Sequence, residues 1–135
     1  MQIFKQIKLY ALLLNLIALH SLLVGIGLIV LPFNVLSMLG FTVDPYRFFS
    51  TQGGVFHLVM AVAYYLAARD PISESNLVIF IIIAKWIAFF FLSLFFIFGE
   101  HIAVVALSAV SDGLMGLLVL MFFLEHNTQE ARADE

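Results

Sequence analysis

The chain has 135 residues, 64% of them hydrophobic and 11% charged, with a formal net charge of −3 and a mean hydropathy of +1.12. Soluble domains carry about 25% charged residues, so a soluble globular domain is excluded, and with no basic stripe nucleic-acid binding is excluded as well. The absence of cysteine removes disulfides, thiolate metal sites and thiol redox chemistry.

A membrane-spanning helix needs about 20 apolar residues, and the length leaves room for about four of them. Residues 1–8 (MQIFKQIK) carry Lys5 and Lys8, and the apolar run 9–31 follows. That run exceeds a signal-peptide core, and no small-residue cleavage site follows it before Pro32, so it reads as a retained first span. Its polar residues are Asn15, His20 and Ser21, and Gly25 and Gly27 allow a close neighbour.

Residues 32–50 form the one long connection. Pro32 suits the first turn of a helix and Gly40 its stop. Phe33, Leu36 and Leu39 recur at helical spacing, which predicts a short helix lying in the membrane interface. Asp44-Pro45 marks a turn. Tyr46, Phe48 and Phe49 suit the headgroup level.

Residues 51–68 are the second predicted span, the shortest and most polar. Gln52, Gly53, Gly54 and His57 stand near its start, and Tyr64 and Tyr65 near its end as expected interface anchors. Gly54, Ala61 and Ala68 recur every seven residues, and Gly53, His57 and Ala61 every four. Such a stripe of small residues is a helix-packing face. Gln52-Gly53-Gly54 lacks the continuation and the preceding strand of a phosphate loop. Arg69-Asp70-Pro71 closes the span, and a polar hairpin follows.

The third predicted span, 77–98, holds seven phenylalanines, Trp86 and the single charge Lys85. The fourth, 102–124, presents Ser108, Ser111, Asp112 and Gly116 on one face. The tail, with Glu130, Arg132, Asp134 and Glu135, reads as a frayed, solvated end. Lys5, Lys8, Arg69 and Arg132 fall on one side of this arrangement and only Arg47 on the other. That bias predicts both termini in the cytoplasm.

The two intramembrane charges sit at comparable depth. Asp112 lies about 15 Å into its span and Lys85 about 12 Å into the neighbouring one, at 1.5 Å per residue. Their pairing is expected. It reads either as a structural clasp or as a polar site, since ionisable groups inside a membrane are functional candidates. Lys85, Asp112, His57, His20 and Gln52 are the polar candidates, and Gly53, Gly54, Ala61 and Gly116 the packing residues. The expected lining adds Ser108 to these. His20 and His57 are residues a haem could take, but their depths differ. His20, His57 and Asp112 lack any metal-ligand spacing. No metal and no bound cofactor are expected, quinone and haem being the two considered.

Several short motifs carry a family resemblance. They are Leu31-Pro32, Leu39-Gly40-Phe41, Ala67-Ala68-Arg69-Asp70-Pro71, a Lys in the third span and Ser111-Asp112-Gly113 in the fourth. Together they resemble the small bacterial four-span membrane proteins of the BphX-like and DoxX-like kind. The resemblance implies an all-α membrane fold of four antiparallel helices in one domain. Some DoxX-like proteins are linked to quinol oxidation, but no catalytic residue is carried over.

Three function classes follow. The favoured one is a non-enzymatic accessory, structural or lipophilic-ligand-binding protein. The second is a small transporter or proton-relay component using Lys85 and Asp112. The third is a quinone-linked oxidoreductase partner, which needs an apolar slot beside His57 or Lys85. Expected partners are the lipid bilayer and either a larger membrane complex or further copies of the chain.

Overall fold

The computed structural model describes the backbone of residues 2–40, 46–99 and 101–133, and side chains from residue 6 to residue 128 within those bounds. The turn expected at Asp44-Pro45, and Phe41, Glu100, Asp134 and Glu135, lie outside the described residues, as do the side chains of Lys5, Glu130 and Arg132. Every described element is a helix: α1 (Gln2–Val30), α2 (Phe33–Met38), α3 (Phe48–Arg69), α4 (Ser75–Phe98) and α5 (Ala103–Ala133).

Helix α1 begins well before the apolar run, because nothing in its basic leader breaks a helix. It stops at Val30, since Pro32 disfavours helical backbone at the residue before it. At 29 residues it is about 43 Å long. Helix α2 ends on Gly40, whose φ of +90° lies in the left-handed region that favours glycine. The Gly40 amide donates to the Ser37 carbonyl at 3.0 Å. Only Leu36 of its apolar repeat is buried, while Phe33 is half-buried and Leu39 exposed.

Helix α5 continues to Ala133, so the expected frayed end is helical. Residues 125–133 contain no Gly or Pro and are rich in helix formers, and Thr128 Oγ1 donates back to the Leu124 carbonyl at 2.8 Å. Among the described residues, three segments are long and apolar enough to cross a membrane: Gln6–Val30, Ser75–Phe98 and Ala103–Thr128. Helix α3 is not among them. It has 22 residues, about 33 Å of helix, but Gln52, His57 and two glycines dilute its apolar character.

The α3–α4 turn is set by Asp70. Its Oδ1 accepts from the Ser73 amide at 3.1 Å and its Oδ2 from the Ser73 hydroxyl at 2.7 Å. The bond from the Ser73 amide, then that from the hydroxyl, holds the Asp70 carboxyl below its ordinary range. A depressed carboxyl stabilises the turn above its unfolded pKa and loses that contribution as pH falls through the folded value. Hydrogen-exchange protection at the Ser73 amide should therefore fall below about pH 4. Asp70→Asn should remove the pH dependence.

Packing is pairwise along most of the length, α1 against α3 and α4 against α5. At one end a single core joins the four long helices. It contains Tyr10, Leu14 and Ile17 of α1, Tyr64 and Ala67 of α3, Val78 and Ile81 of α4, and Val119 of α5. Tyr10 stacks on Phe122 with ring centroids 5.4 Å apart. Elsewhere large apolar side chains point outward, among them Leu12, Leu16, Leu23, Ile83, Ile87, Phe91 and Leu94. That is the surface lipid tails accept without penalty.

Gly25 and Gly54 bring α1 and α3 to close backbone contact. A Cβ on Gly25 would lie 2.8 Å from the Gly54 carbonyl oxygen, and one on Gly54 would lie 2.7 Å from that of Gly25. Arg47 closes the end of α1. Its Nη2 donates to the carbonyls of Leu31 at 2.7 Å and Ile29 at 3.1 Å, and the guanidinium lies 5.3 Å from the Phe33 ring centroid. The Ile29 carbonyl lies in the last turn of α1, where carbonyls lack partners within the helix, and that of Leu31 directly follows the helix. Arg47→Ala should cost about 1–3 kcal/mol, read as a lower midpoint in denaturing detergent, with protection lost first at the last turn of α1.

Candidate functional site

Residues 105, 109, 112, 116 and 119 of α5 alternate by three and four and form one inward stripe. Val105, Ala109, Gly116 and Val119 of this stripe are buried and Asp112 half-buried. Facing it, α4 buries Val78, Ile81, Ile82 and Lys85. The Lys85 Cβ sits over Gly116, where an added Cβ would come within 3.1 Å. This seat directs the side chain inward: Lys85 is 4% exposed, and its Nζ lies 2.5 Å from Asp112 Oδ1. The ammonium also lies 5.2 Å from the centroid of the Tyr64 ring, within cation–π range.

Tyr64 is therefore buried, at 3% exposure, and not the interface anchor expected from its position. Only Tyr65 faces outward. The difference is helical phase: Tyr64 follows His57 by seven residues and Ala61 by three, on the inner stripe, whereas Tyr65 is turned about 100° away.

His57 is fixed from the opposite side. Ser21 is 1% exposed. Its hydroxyl donates to the His57 carbonyl at 2.9 Å, and its Oγ lies 3.2 Å from His57 Nδ1. Ser21 falls on the buried stripe of α1 that includes Tyr10, Leu14 and Ile17. The sequence marked Ser21 as polar but gave no partner, because contact between α1 and α3 is long-range.

Between α3, α4 and α5 a groove of about 150 Å³ opens. Phe56, Met60, Ala84 and Ala88 give it apolar walls, and His57, Tyr64, Lys85 and Asp112 supply its polar groups. The volume is many times the about 10–15 Å³ that holds one water.

Three expected site residues lie elsewhere. His20 is exposed, one residue off the stripe that carries Ser21. Gln52 is exposed on the outer side of α3, and Ser108 is exposed on α5. Four residues overshoot a helical turn by about 40°, so Ser108 rotates off the face that Asp112 and Gly116 share. Gly53 is half-buried, with Leu28 its neighbour across the interface. Gly54, Ala61 and Gly116 are buried. Among the described residues no three His, Asp or Glu side chains converge as a metal set.

No protein-family model, curated protein or solved structure matches this chain. The functional reading rests on the groove and the residues in it.

Proposed function

We propose that the chain is an integral membrane protein of four antiparallel spans that binds a lipophilic molecule in the groove beside Lys85 and Asp112. The carrying observation is the groove itself, whose apolar walls end on a charged pair and an imidazole. Ligand sites combine mostly apolar walls with a few placed polar groups in this way.

Helix α3 supplies the fourth span, its length being sufficient for a core of about 30 Å. Contacts rise along one helix as they fall along its neighbour, which supports the antiparallel order. Ser21 meets His57 while Gly25 meets Gly54, and Lys85 meets Gly116 while Phe89 meets Gly113. The BphX-like and DoxX-like resemblance implies the same order. The distribution of Lys and Arg supports cytoplasmic termini, with Arg47 on the far side held to the end of α1, and the resemblance implies a bacterial inner membrane.

The test is mass spectrometry of lipids released from the purified protein. Wild type should carry a lipophilic species at near-stoichiometric level. Ala88→Trp, which fills the groove, should reduce it at least about tenfold, the equivalent of about 1.4 kcal/mol, while the protein stays folded. Equal lipid content in wild type and Ala88→Trp overturns the reading.

A further inference from the structure

The hydrogen bonds around His57 determine which ring nitrogen carries its proton. A serine hydroxyl has one proton to give. That of Ser21 goes to the His57 carbonyl at 2.9 Å. At 3.2 Å from the ring, the Ser21 oxygen can then only accept, so Nδ1 carries the hydrogen. In the neutral imidazole this leaves Nε2 bare, as an acceptor. Lys85, which lines the same groove, has three ammonium protons, one of which faces Asp112 Oδ1. The groove thus offers an acceptor from α3 and donors from α4, and its charges already balance.

This inventory discriminates among ligand heads. An anionic head would place an uncompensated charge beside a neutral pair in a low-dielectric setting, which is costly. An ether or ester oxygen could accept from Lys85 but would leave Nε2 without a donor. A hydroxyl does both, giving its proton to His57 and accepting one from Lys85.

We propose that the groove receives a single-chain amphiphile with a neutral hydroxyl head, held between His57 Nε2 and Lys85 Nζ, its chain lying along Phe56, Met60, Ala84 and Ala88. This rests on the groove being a lipophilic site, as argued above.

The test uses the full chain in phosphatidylcholine vesicles and a long-chain alcohol bearing a photoreactive diazirine. Crosslinks should map to Met60, Ala84 or Ala88. Dodecanol should compete about tenfold better than its methyl ether, the difference one hydrogen bond supplies, and better than dodecanoate. His57→Phe should bring the alcohol-to-ether ratio to about one without abolishing ether competition. Imidazole nitrogen NMR of the unmodified chain should show His57 protonated at Nδ1, with the bare Nε2 signal moving on addition of dodecanol and not of the ether. Equal competition by alcohol and ether, stronger competition by dodecanoate, or protonation at Nε2 overturns the hydroxyl assignment and leaves the groove as a lipophilic site. Crosslinks that avoid the groove residues overturn the groove reading and the assignment together.

Discussion

Asp112→Ala should lower the stability of the folded chain by about 3–5 kcal/mol, the usual cost of removing one partner from a buried ion pair. The magnitude follows from burial. The side chains of Lys85 and Asp112 are 5% and 13% exposed, so solvent does little to screen the orphaned ammonium. Nor can the lysine easily turn outward toward the headgroups, because its stem is seated on Gly116 and its head lies against Tyr64. The measurement is the folded fraction against increasing sodium dodecyl sulfate. Lys85→Met should lose a comparable amount. The double variant Lys85→Met with Asp112→Leu should recover most of the loss, because an apolar pair of similar volume replaces a buried ion pair at little cost. A double variant as unstable as the two singles combined would show that the charges act independently. The same double variant separates holding from binding: it should fold, yet bind dodecanol and its methyl ether both more weakly, because either oxygen accepts from Lys85. A stable double variant that binds both as tightly as the wild type would make the pair a clasp alone.

Much of this arrangement was legible in the sequence. Apolar runs and breakers located the helices, since a bilayer-length run bounded by Pro32, Pro71 or Gly99 has few alternatives. The meeting of Lys85 and Asp112 followed from depth counted in residues across one tight turn, where error has little room to grow. Phase was less legible. Tyr64, Ser108 and His20 were each placed on the wrong face, because in a chain that is apolar nearly all round no polar side marks the outside. A misjudged stripe then shifts residues by a third of a turn. The longest-range features were not legible at all. Nothing local shows that Ser21 meets His57 or that Arg47 closes α1, since both depend on how a helix returns after the 32–47 connection. The groove is of the same kind: it exists because α3 lies close to α1 and leaves room beside α4.

That close approach is itself testable, and its effect reaches the groove. Gly25→Ala should destabilise the chain by about 1–3 kcal/mol, the usual cost of overpacking. The new Cβ would stand 2.8 Å from the Gly54 carbonyl oxygen and 2.9 Å from Leu58 Cδ2. The leucine can turn aside, but the carbonyl belongs to the backbone of α3, so the helices must part. Gly27→Ala is the control. Its Cβ meets only Leu31 Cδ1 at 3.5 Å, an ordinary contact, and alanine is the better helix former by about 0.8–1 kcal/mol. The two substitutions, two residues apart, should therefore have opposite signs in the same detergent titration. Destabilisation by both, or by neither, would mean that α1 and α3 do not meet at Gly25. Ser21 lies one helical turn from Gly25, and His57 nearly one turn from Gly54, so a parting of the helices there lengthens the contact that fixes the imidazole. Gly25→Ala should thus show a mixed His57 tautomer by imidazole nitrogen NMR and a reduced alcohol-to-ether ratio. Gly27→Ala should show neither, because it leaves the distance between α1 and α3 unchanged.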